Sequence, residues 1–328
     1  MPRLFLRRAV LAALSPLMMV SAVAQAPGDA WPTRPVRIVV PYAAGASTDI
    51  VTRRVAQALG ERLGQSVVVE NRTGASGTIG VGMVVREKPD GYTLSANDVI
   101  GHLTVPLAMQ NMPYDPAADL VPIAAYVLSP YGIVVNAASP YRTLQDLVAA
   151  AKAAPGKLTY GSGGAGTTTH MAAADFALAS GVSLMHVPFK GAAEGVMAVL
   201  SGTIDMQVVS PASVASNVKA GKLRLLAISG TERLKLLPDV PTFAEAGFKD
   251  YEIANHIGLW APRGTPPAIV ERLRKEVAAV MGTPQMRSFA EGLGSLPQAV
   301  VGPDFIRMLE QNGRRWKTVA ERIQLTRQ

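Results

Sequence analysis

Apolar residues along this chain alternate between short continuous runs and sets spaced for one face of a helix. The run VRIVV, at 36–40, is typical of a buried strand. From Thr48 to Leu63 apolar residues recur every four positions and Gly64 follows, which predicts a helix that ends there. Further strands are predicted at 66–70, 91–97, 131–135, 157–160, 184–187, 204–209, 223–228 and 253–262. Strands that alternate with helices indicate an α/β fold with mainly parallel sheets.

These elements form two clusters, at about 34–127 and 131–250. Within the second cluster, Thr143 and Asp146 predict a capped helix start, and Gly181 closes a helix that begins near Thr167. The strand at 253–262, taken as the last, and the helical pattern from Pro266 onward have no strand partners nearby in sequence. They are therefore expected to return to the first cluster. The predicted domains are a lobe 1 of residues 34–127 plus 255–328 and a lobe 2 of residues 128–254, joined by crossing strands with a cleft between them.

The beginning of the chain carries the pattern of an export signal. Arg3, Arg7 and Arg8 precede an apolar stretch at 9–20, and Ala22-Val23-Ala24 supplies the small-x-small pattern that signal peptidase reads. Residues 1–24 are therefore interpreted as a cleaved signal peptide, and the mature protein is expected outside the cytoplasm. Later apolar runs are too short to predict a membrane span.

Charge and cysteine content exclude several classes of partner. The formal net charge is +8 and falls to 8 − 3 = +5 without the three arginines of the signal. Because this charge is spread along the chain, with no basic block interleaved with aromatic residues, we expect no nucleic-acid partner. The chain has no cysteine, which excludes disulfides, thiol catalysis and cysteine-ligated metals.

Groups for catalysis are sparse. The histidines lack the spacing of a metal site, and no G-x-S-x-G elbow occurs. They are His102, His170, His186 and His256. We therefore predict no catalytic residue, no metal and no cofactor, and a protein that holds its ligand without transforming it.

The loop PYAAGASTDI, at 41–50, joins the first strand to the first helix. Gly45 permits a close backbone approach, and the first amides of a helix carry the positive end of its dipole. A carboxylate placed there would gain charge-assisted hydrogen bonds. The other interpretation is an ordinary turn in which Ser47 or Asp49 caps the helix.

The stretch YGSGGAGTTTH, at 160–170, repeats this design. Its glycines match G-x-G-x-x-G, but the next strand is not followed by the acidic residue that a dinucleotide site requires. Ser162, Thr167, Thr168 and Thr169 instead suit a small carboxylate. Capping of the helix by a single threonine is the other interpretation.

Four more polar residues follow predicted strands and could face the same cleft. Asn97 and Asp98 end one strand, Lys190 follows another, and Ser210 precedes Pro211 after a third. Each has a structural interpretation too: a turn for Asn97 and Asp98, and a solvated surface position for Lys190. The loop NRTGASG, at 71–77, is interpreted as structural, although it could border the cleft.

Several ordered motifs together resemble one family, the extracytoplasmic solute receptors of tripartite tricarboxylate transporters, or Bug family. They include RPVRIVVPYAAGASTDIVTR, KPDGYTL, YGSGGAGTTTH, HVPFKGAAEG, LPDVPTFAEAG and GLWAPRGTPPAIVERL, and they run over nearly the whole mature chain. There are departures from the family pattern. Ala46 replaces a usual glycine, Val105 stands where asparagine is common, and Ser210 is about one residue out of register, so the ligand could be atypical.

The resemblance implies a periplasmic binding-protein fold of type II that closes on a small carboxylate: a di- or tricarboxylate, an acidic amino acid or an aromatic acid. It implies a periplasmic monomer that delivers this ligand to membrane permease subunits. Combined with the loop analysis, the expected ligand-binding residues are Tyr42, Ala44, Gly45, Ser47, Asp49, Asn97, Ser162, Gly166, Thr167, Thr168, Lys190 and Ser210.

Two other functions stay open at this point. A receptor of the same fold could dock on a signalling protein instead of a permease, because both uses depend on the same closure. An enzyme on this fold would need a general base in the cleft, and the sequence nominates none.

Overall fold

The computed structural model describes residues 31–249, 251 and 253–327. The predicted signal peptide at 1–24 lies outside the described residues. None of the helices in these ranges is long and apolar enough to cross a membrane.

Eleven strands in the described part of the chain form two sheets. They are β1 (Val36–Val40), β2 (Val67–Asn71), β3 (Thr93–Asp98), β4 (Leu120–Pro130), β5 (Gly132–Asn136), β6 (Thr159–Ser162), β7 (Met185–Pro188), β8 (Met206–Val209), β9 (Leu223–Ile228), β10 (Ala254–Pro262) and β11 (Leu296–Val301). The first sheet has the order β11-β4-β10-β3-β1-β2, and the second has the order β7-β6-β8-β5-β9. Each sheet is the centre of one lobe, which confirms the predicted two-lobed α/β class.

Helices cover the sheets and connect their strands. They are α1 (Ser47–Leu63), α2 (Thr78–Val85), α3 (Val99–Ala108), α4 (Pro116–Asp119), α5 (Leu144–Ala153), α6 (Thr168–Ser180), α7 (Ala192–Leu200), α8 (Pro211–Lys219), α9 (Pro267–Met281), α10 (Pro284–Gly292) and α11 (Gly302–Arg322). A short 3₁₀ turn at Ala75–Gly77 precedes α2.

The helix signals in the sequence correspond to observed caps and packing. In α1 the residues predicted to face inward are buried, and each contributes ~1.5–3 kcal/mol when fully removed from water. Gly64 ends this helix with φ +69°, and Gly181 ends α6 with φ +65°. Thr143 and Asp146 form the reciprocal hydrogen bonds of a capping box at the start of α5.

The prediction of mainly parallel sheets is wrong, because both sheets are mixed. β1 pairs in parallel with β2 and β3, and β6 pairs in parallel with β7 and β8. However, β10 runs antiparallel between β3 and β4, and β5 runs antiparallel between β8 and β9. These antiparallel strands are the ones that lead from one sheet to the other, so they enter against the direction of the strands already there.

Two strands of the first sheet were absent from the sequence prediction. β4 is buried along most of its length, so its apolar run has no alternation to mark it as a strand. β11 lies in a region predicted to be helical throughout, which also makes the prediction of 253–262 as the last strand wrong. β11 is a half-exposed edge strand containing Pro297, a residue that edge strands tolerate.

The C-terminal helix α11 packs against both lobes. Near its start, Phe305 packs on Trp260 of β10. Near its end, Trp316 and Val319 join the core cluster around Phe176 of α6. The predicted boundary of lobe 1, which includes all of 255–328, does not anticipate this second contact and remains a prediction.

The sheet directions bring the polar loops together. The carboxyl ends of β1, β2 and β3 lie at one edge of the first sheet because the three strands are parallel. The carboxyl ends of β6, β7 and β8 share an edge of the second sheet for the same reason. The Thr104 hydroxyl of α3 donates to the Gly166 carbonyl, so these two edges meet across the cleft. Ligands of open α/β sheets bind beyond such strand ends.

Candidate functional site

The first loop is held in shape by a buried carboxylate. Asp49 is 2% exposed and accepts hydrogen bonds from the Gly45 amide at 2.9 Å, the Asn71 amide at 2.8 Å and the Arg53 guanidinium at 3.1 Å. Burial alone would raise the pKa of Asp49, but these hydrogen bonds outweigh it and hold the pKa below its usual value. Asn71 also donates to the Tyr42 carbonyl at 3.0 Å. Asp49 and the Gly45 amide therefore shape the loop and, in this structure, bind each other.

The start of α1 has no side-chain cap. Ala46 occupies the N-cap position and offers no side-chain oxygen, so neither Ser47 nor Asp49 caps the helix. The capping interpretation of this loop is therefore wrong. Ala44 is exposed and Ser47 is partly exposed at the same helix start, which leaves the first amides of α1 open to an anion.

The second loop is pinned by its own side chains. The Thr167 hydroxyl donates to the Gly164 carbonyl at 2.7 Å, and the Gly163 amide donates to the Thr169 hydroxyl at 3.0 Å. The Gly166 amide donates to Nδ1 of His170 at 3.1 Å. Thr167 is the N-cap of α6 but makes no capping hydrogen bond. Two of the three threonines thus fix the loop rather than cap the helix.

Three aromatic rings, of Tyr160, His170 and His186, pack together beside this loop. The rings of His170 and His186 lie 4.0 Å apart, and the Tyr160 ring lies 5.0 Å from His186 and 6.2 Å from His170, with the three planes nearly parallel. Nε2 of His186 is 2.6 Å from the Ser162 hydroxyl. Burial, reinforced by His186, lowers the pKa of His170 to about 3, and burial lowers the pKa of His186 to about 4. Both imidazoles are neutral at pH 7, where they act as hydrogen-bonding supports.

These depressed pKa values predict an acid-sensitive fold. The unfolded chain binds protons near pH 6.5, whereas the folded histidines bind them near pH 3 and 4. The stability associated with the neutral pair is therefore complete above pH 6.5 and declines as the pH falls toward 4. We expect the melting temperature of the wild type to fall between pH 6.5 and 4, and that of His186→Gln to fall less steeply. If calorimetry gave the same dependence of melting temperature on pH for both proteins, the neutral histidine pair would not be the cause of the acid sensitivity.

The two loops contact each other through Asp98. Its side chain caps α3 by accepting from the Gly101 amide at 2.7 Å, and it also accepts from the Thr168 hydroxyl of the opposite lobe. The Tyr42 hydroxyl lies near Asp98, and burial together with this carboxylate raises the pKa of Tyr42 well above its usual value. Nδ2 of Asn255, on β10, reaches the Thr168 hydroxyl at 3.4 Å. Thr168, predicted as a ligand contact, is thus bound to a carboxylate of the chain.

A narrow cavity of about 10 Å³, with room for roughly one water molecule, lies beside this contact. It is bordered by the first loop, the 3₁₀ turn, the end of β3 and the start of α3. Its lining residues are Pro41, Tyr42, Ser76, Gly77, Val81, Asn97, Gly101, His102, Val105, Pro106 and Tyr114. Tyr42 and Asn97 come from the predicted set. Ser76 belongs to the NRTGASG loop that was interpreted as structural, and its run of small residues after a strand is the signal that could have identified it.

Asn97 lines this cavity and carries an unused donor. The residue is 1% exposed, and its Oδ1 accepts from the Ser95 hydroxyl at 3.1 Å. Its Nδ2 is buried and has no hydrogen-bond partner in the described chain. A buried N–H without a partner costs about 1–3 kcal/mol, so an acceptor supplied by a ligand would be stabilised there.

The remaining predicted residues lie around the second loop. Ser210 follows β8 and is 6% exposed, and its hydroxyl is buried without a partner in the described chain. Ser162 is buried, and its hydroxyl is hydrogen-bonded to Nε2 of His186 and to the Gly164 amide. Lys190 is exposed and does not line the cavity. Within the described ranges, no three acidic or histidine side chains are grouped to hold a metal ion.

Comparison with known proteins places this architecture in a family. The model of the tripartite tricarboxylate transporter family receptor matches residues 51–325. A Pseudomonas sp. (strain P51) protein encoded in the tcbD-tcbE intergenic region is 36% identical over 289 residues, which cover 88% of this chain and 86% of that protein. These matches confirm the resemblance found in the sequence motifs.

Two solved structures share the fold. The R. palustris protein Rpa4515 with adipate is 34% identical, with a TM-score of 0.86 over 91% of this chain and 100% of the other. MatC from Rhodopseudomonas palustris, with bound malate, is 27% identical, with a TM-score of 0.78 over 88% and 99% of the two chains. Both structures contain a small dicarboxylic acid, adipate in the first and malate in the second.

Proposed function

Because this chain belongs to the family of tripartite tricarboxylate transporter receptors, we propose that it captures a small carboxylate in its cleft and delivers it to a membrane transporter. The observation that carries this proposal is the buried, unpartnered Nδ2 of Asn97, a residue that lines the same cavity as Pro41 and Tyr42 of the first loop. Asn97 and the uncapped start of α1 offer hydrogen-bond donors, and the cavity lining contains neither lysine nor arginine. A carboxylate is the acceptor that such donors stabilise most.

Similar proteins support the ligand class. One binds adipate and another binds malate, and both are small carboxylic acids. Closure of the two lobes would bring the loop at 162–168 over the acid and exclude water from it. The mature protein would act in the periplasm after removal of residues 1–24, as a monomer and without catalysing a reaction.

A thermal-shift screen of the mature chain against a carboxylate library tests the capture step. A ligand at a hundred times its dissociation constant stabilises the folded protein by ~2.7 kcal/mol, which raises the melting temperature by several degrees. We expect such a shift with at least one class of acid. If no acid shifts the melting temperature, the carboxylate proposal is wrong.

The delivery step has a separate test. Cross-linking of the mature protein in periplasm-containing cells, with and without the acid found in the screen, should trap permease subunits in a ligand-dependent way. Capture of a signalling protein instead would show a sensory receptor, and the delivery proposal would fail while the capture step stands.

A further inference from the structure

Asp98 places a negative charge where the two lobes meet. The residue ends β3, directly after Asn97, and is 7% exposed. Its carboxylate faces the first residue of α6, Thr168, on the opposite lobe. The predicted anion-binding end of α6 is therefore already in contact with a carboxylate that belongs to the protein.

The polar groups found around this carboxylate are neutral. The Gly101 amide and the Thr168 hydroxyl donate to it, and the Tyr42 hydroxyl lies nearby. Thr168 and Tyr42 are two of the residues expected to hold a ligand carboxylate. Asp98 therefore already contacts groups of the chain that a second carboxylate of a ligand would need.

The neighbouring cavity has no positive charge to offset Asp98. Its lining contains neither lysine nor arginine. The one imidazole in it, His102, has its pKa lowered to about 4 by burial and is neutral at pH 7. Lys190 is exposed and absent from the lining. An acid with two carboxylates would therefore bring its second charge beside a fixed charge of the same sign.

We infer that Asp98 determines specificity by taking the place of a second ligand carboxylate. The receptor then selects acids that carry one carboxylate and an uncharged or cationic far end, such as an amide, a hydroxyl or an ammonium group. This inference rests on the proposed function and narrows its ligand class. A like charge about 10 Å away, at an effective dielectric constant near 20, weakens binding roughly tenfold, and a closer one weakens it more.

Matched ligand pairs test the inference by titration calorimetry at pH 7.5. Adipate is compared with its monoamide, and malate with its monoamide, because each pair differs mainly by one charge. The proteins are the wild type, Asp98→Asn and Asp304→Asn. Asparagine keeps the cap of α3, so Asp98→Asn should fold, and Asp98→Ser serves if thermal melting shows otherwise. Asp304 is a surface residue paired with Arg307 and controls for the loss of one charge.

We expect the wild type and Asp304→Asn to bind a monoamide at least tenfold more tightly than its dianion. In Asp98→Asn this preference should fall by a factor of ten or more. If the wild type binds a dianion as tightly as its monoamide, the inference about Asp98 is overturned and the receptor function stands. If none of these proteins binds any acid of a broad panel, the proposed function fails, and the inference fails with it.

Discussion

Gly166→Ala should prevent the lobes from closing while leaving each lobe folded. A methyl group at this position would lie 2.8 Å from both the Thr104 carbonyl oxygen and the Cα of Val105, which belong to the opposite lobe. Overpacking of this kind costs up to about 3 kcal/mol. If closing the lobes becomes less favourable by that amount, the fraction of closed protein falls roughly 100-fold, and the ligand affinity falls with it. Calorimetric titration measures the affinity, and small-angle scattering measures the closure.

Gly181→Ala is the matched control for this variant. Gly181 has a similar positive φ, +65° against +73°, and lies at the other end of the same helix, but nothing lies within 4 Å of its added methyl group. Both variants therefore carry a similar left-handed backbone strain of about 1–2 kcal/mol. Equal affinities for the two variants would show that contact between Gly166 and α3 is not required for binding.

Asn97→Asp should remove ligand binding almost completely. The change replaces the unpartnered donor with a carboxylate and keeps the oxygen that accepts from Ser95. Two like charges about 4 Å apart repel by about 4 kcal/mol at an effective dielectric constant near 20, which is close to a thousandfold loss of affinity. The measurement is titration with the acid that gives the largest thermal shift to the wild type.

Two further variants separate charge from hydrogen bonding at this position. Asn97→Leu removes the donor without adding a charge and should cost ~1.5–3 kcal/mol of binding, or about 10- to 100-fold. Asn111→Asp adds the same charge at an exposed position outside the cavity lining and should bind as the wild type does. Wild-type affinity in Asn97→Asp would mean that the acid binds elsewhere.

The features of the fold that could be predicted are those determined by residues close together in the sequence. The helix-spaced residues from Val51 to Leu63, the capping box at Thr143 and the closing glycines at 64 and 181 each depend on near neighbours in sequence, and all were observed. The directions of β5 and β10 depend instead on which distant strands they join. Because their apolar pattern is the same in parallel and antiparallel sheets, the sequence could not distinguish the two.

The sequence predicted which loops would meet at the cleft, whereas their role in binding a ligand stays a prediction. The small-residue loops after β1 and β6 meet at the cleft, as their position after parallel strands requires. The sequence could not predict which polar side chains are free to bind a ligand. A side chain in these loops can instead form hydrogen bonds within the protein. Asp49 turns inward to hold Gly45, and Thr168 donates to Asp98. The hydrogen-bond partners of these side chains are set by contacts with segments distant in sequence, including segments of the other lobe.

A crystal structure of the mature protein with its bound acid is the most direct test of the proposed site. We expect closed lobes and a ligand carboxylate oxygen about 2.9 Å from Nδ2 of Asn97. An acid bound elsewhere, for example in the surface pocket bordered by Arg142 and Arg224, with the Asn97 amide still unpartnered, would contradict the assignment of this cavity as the ligand site.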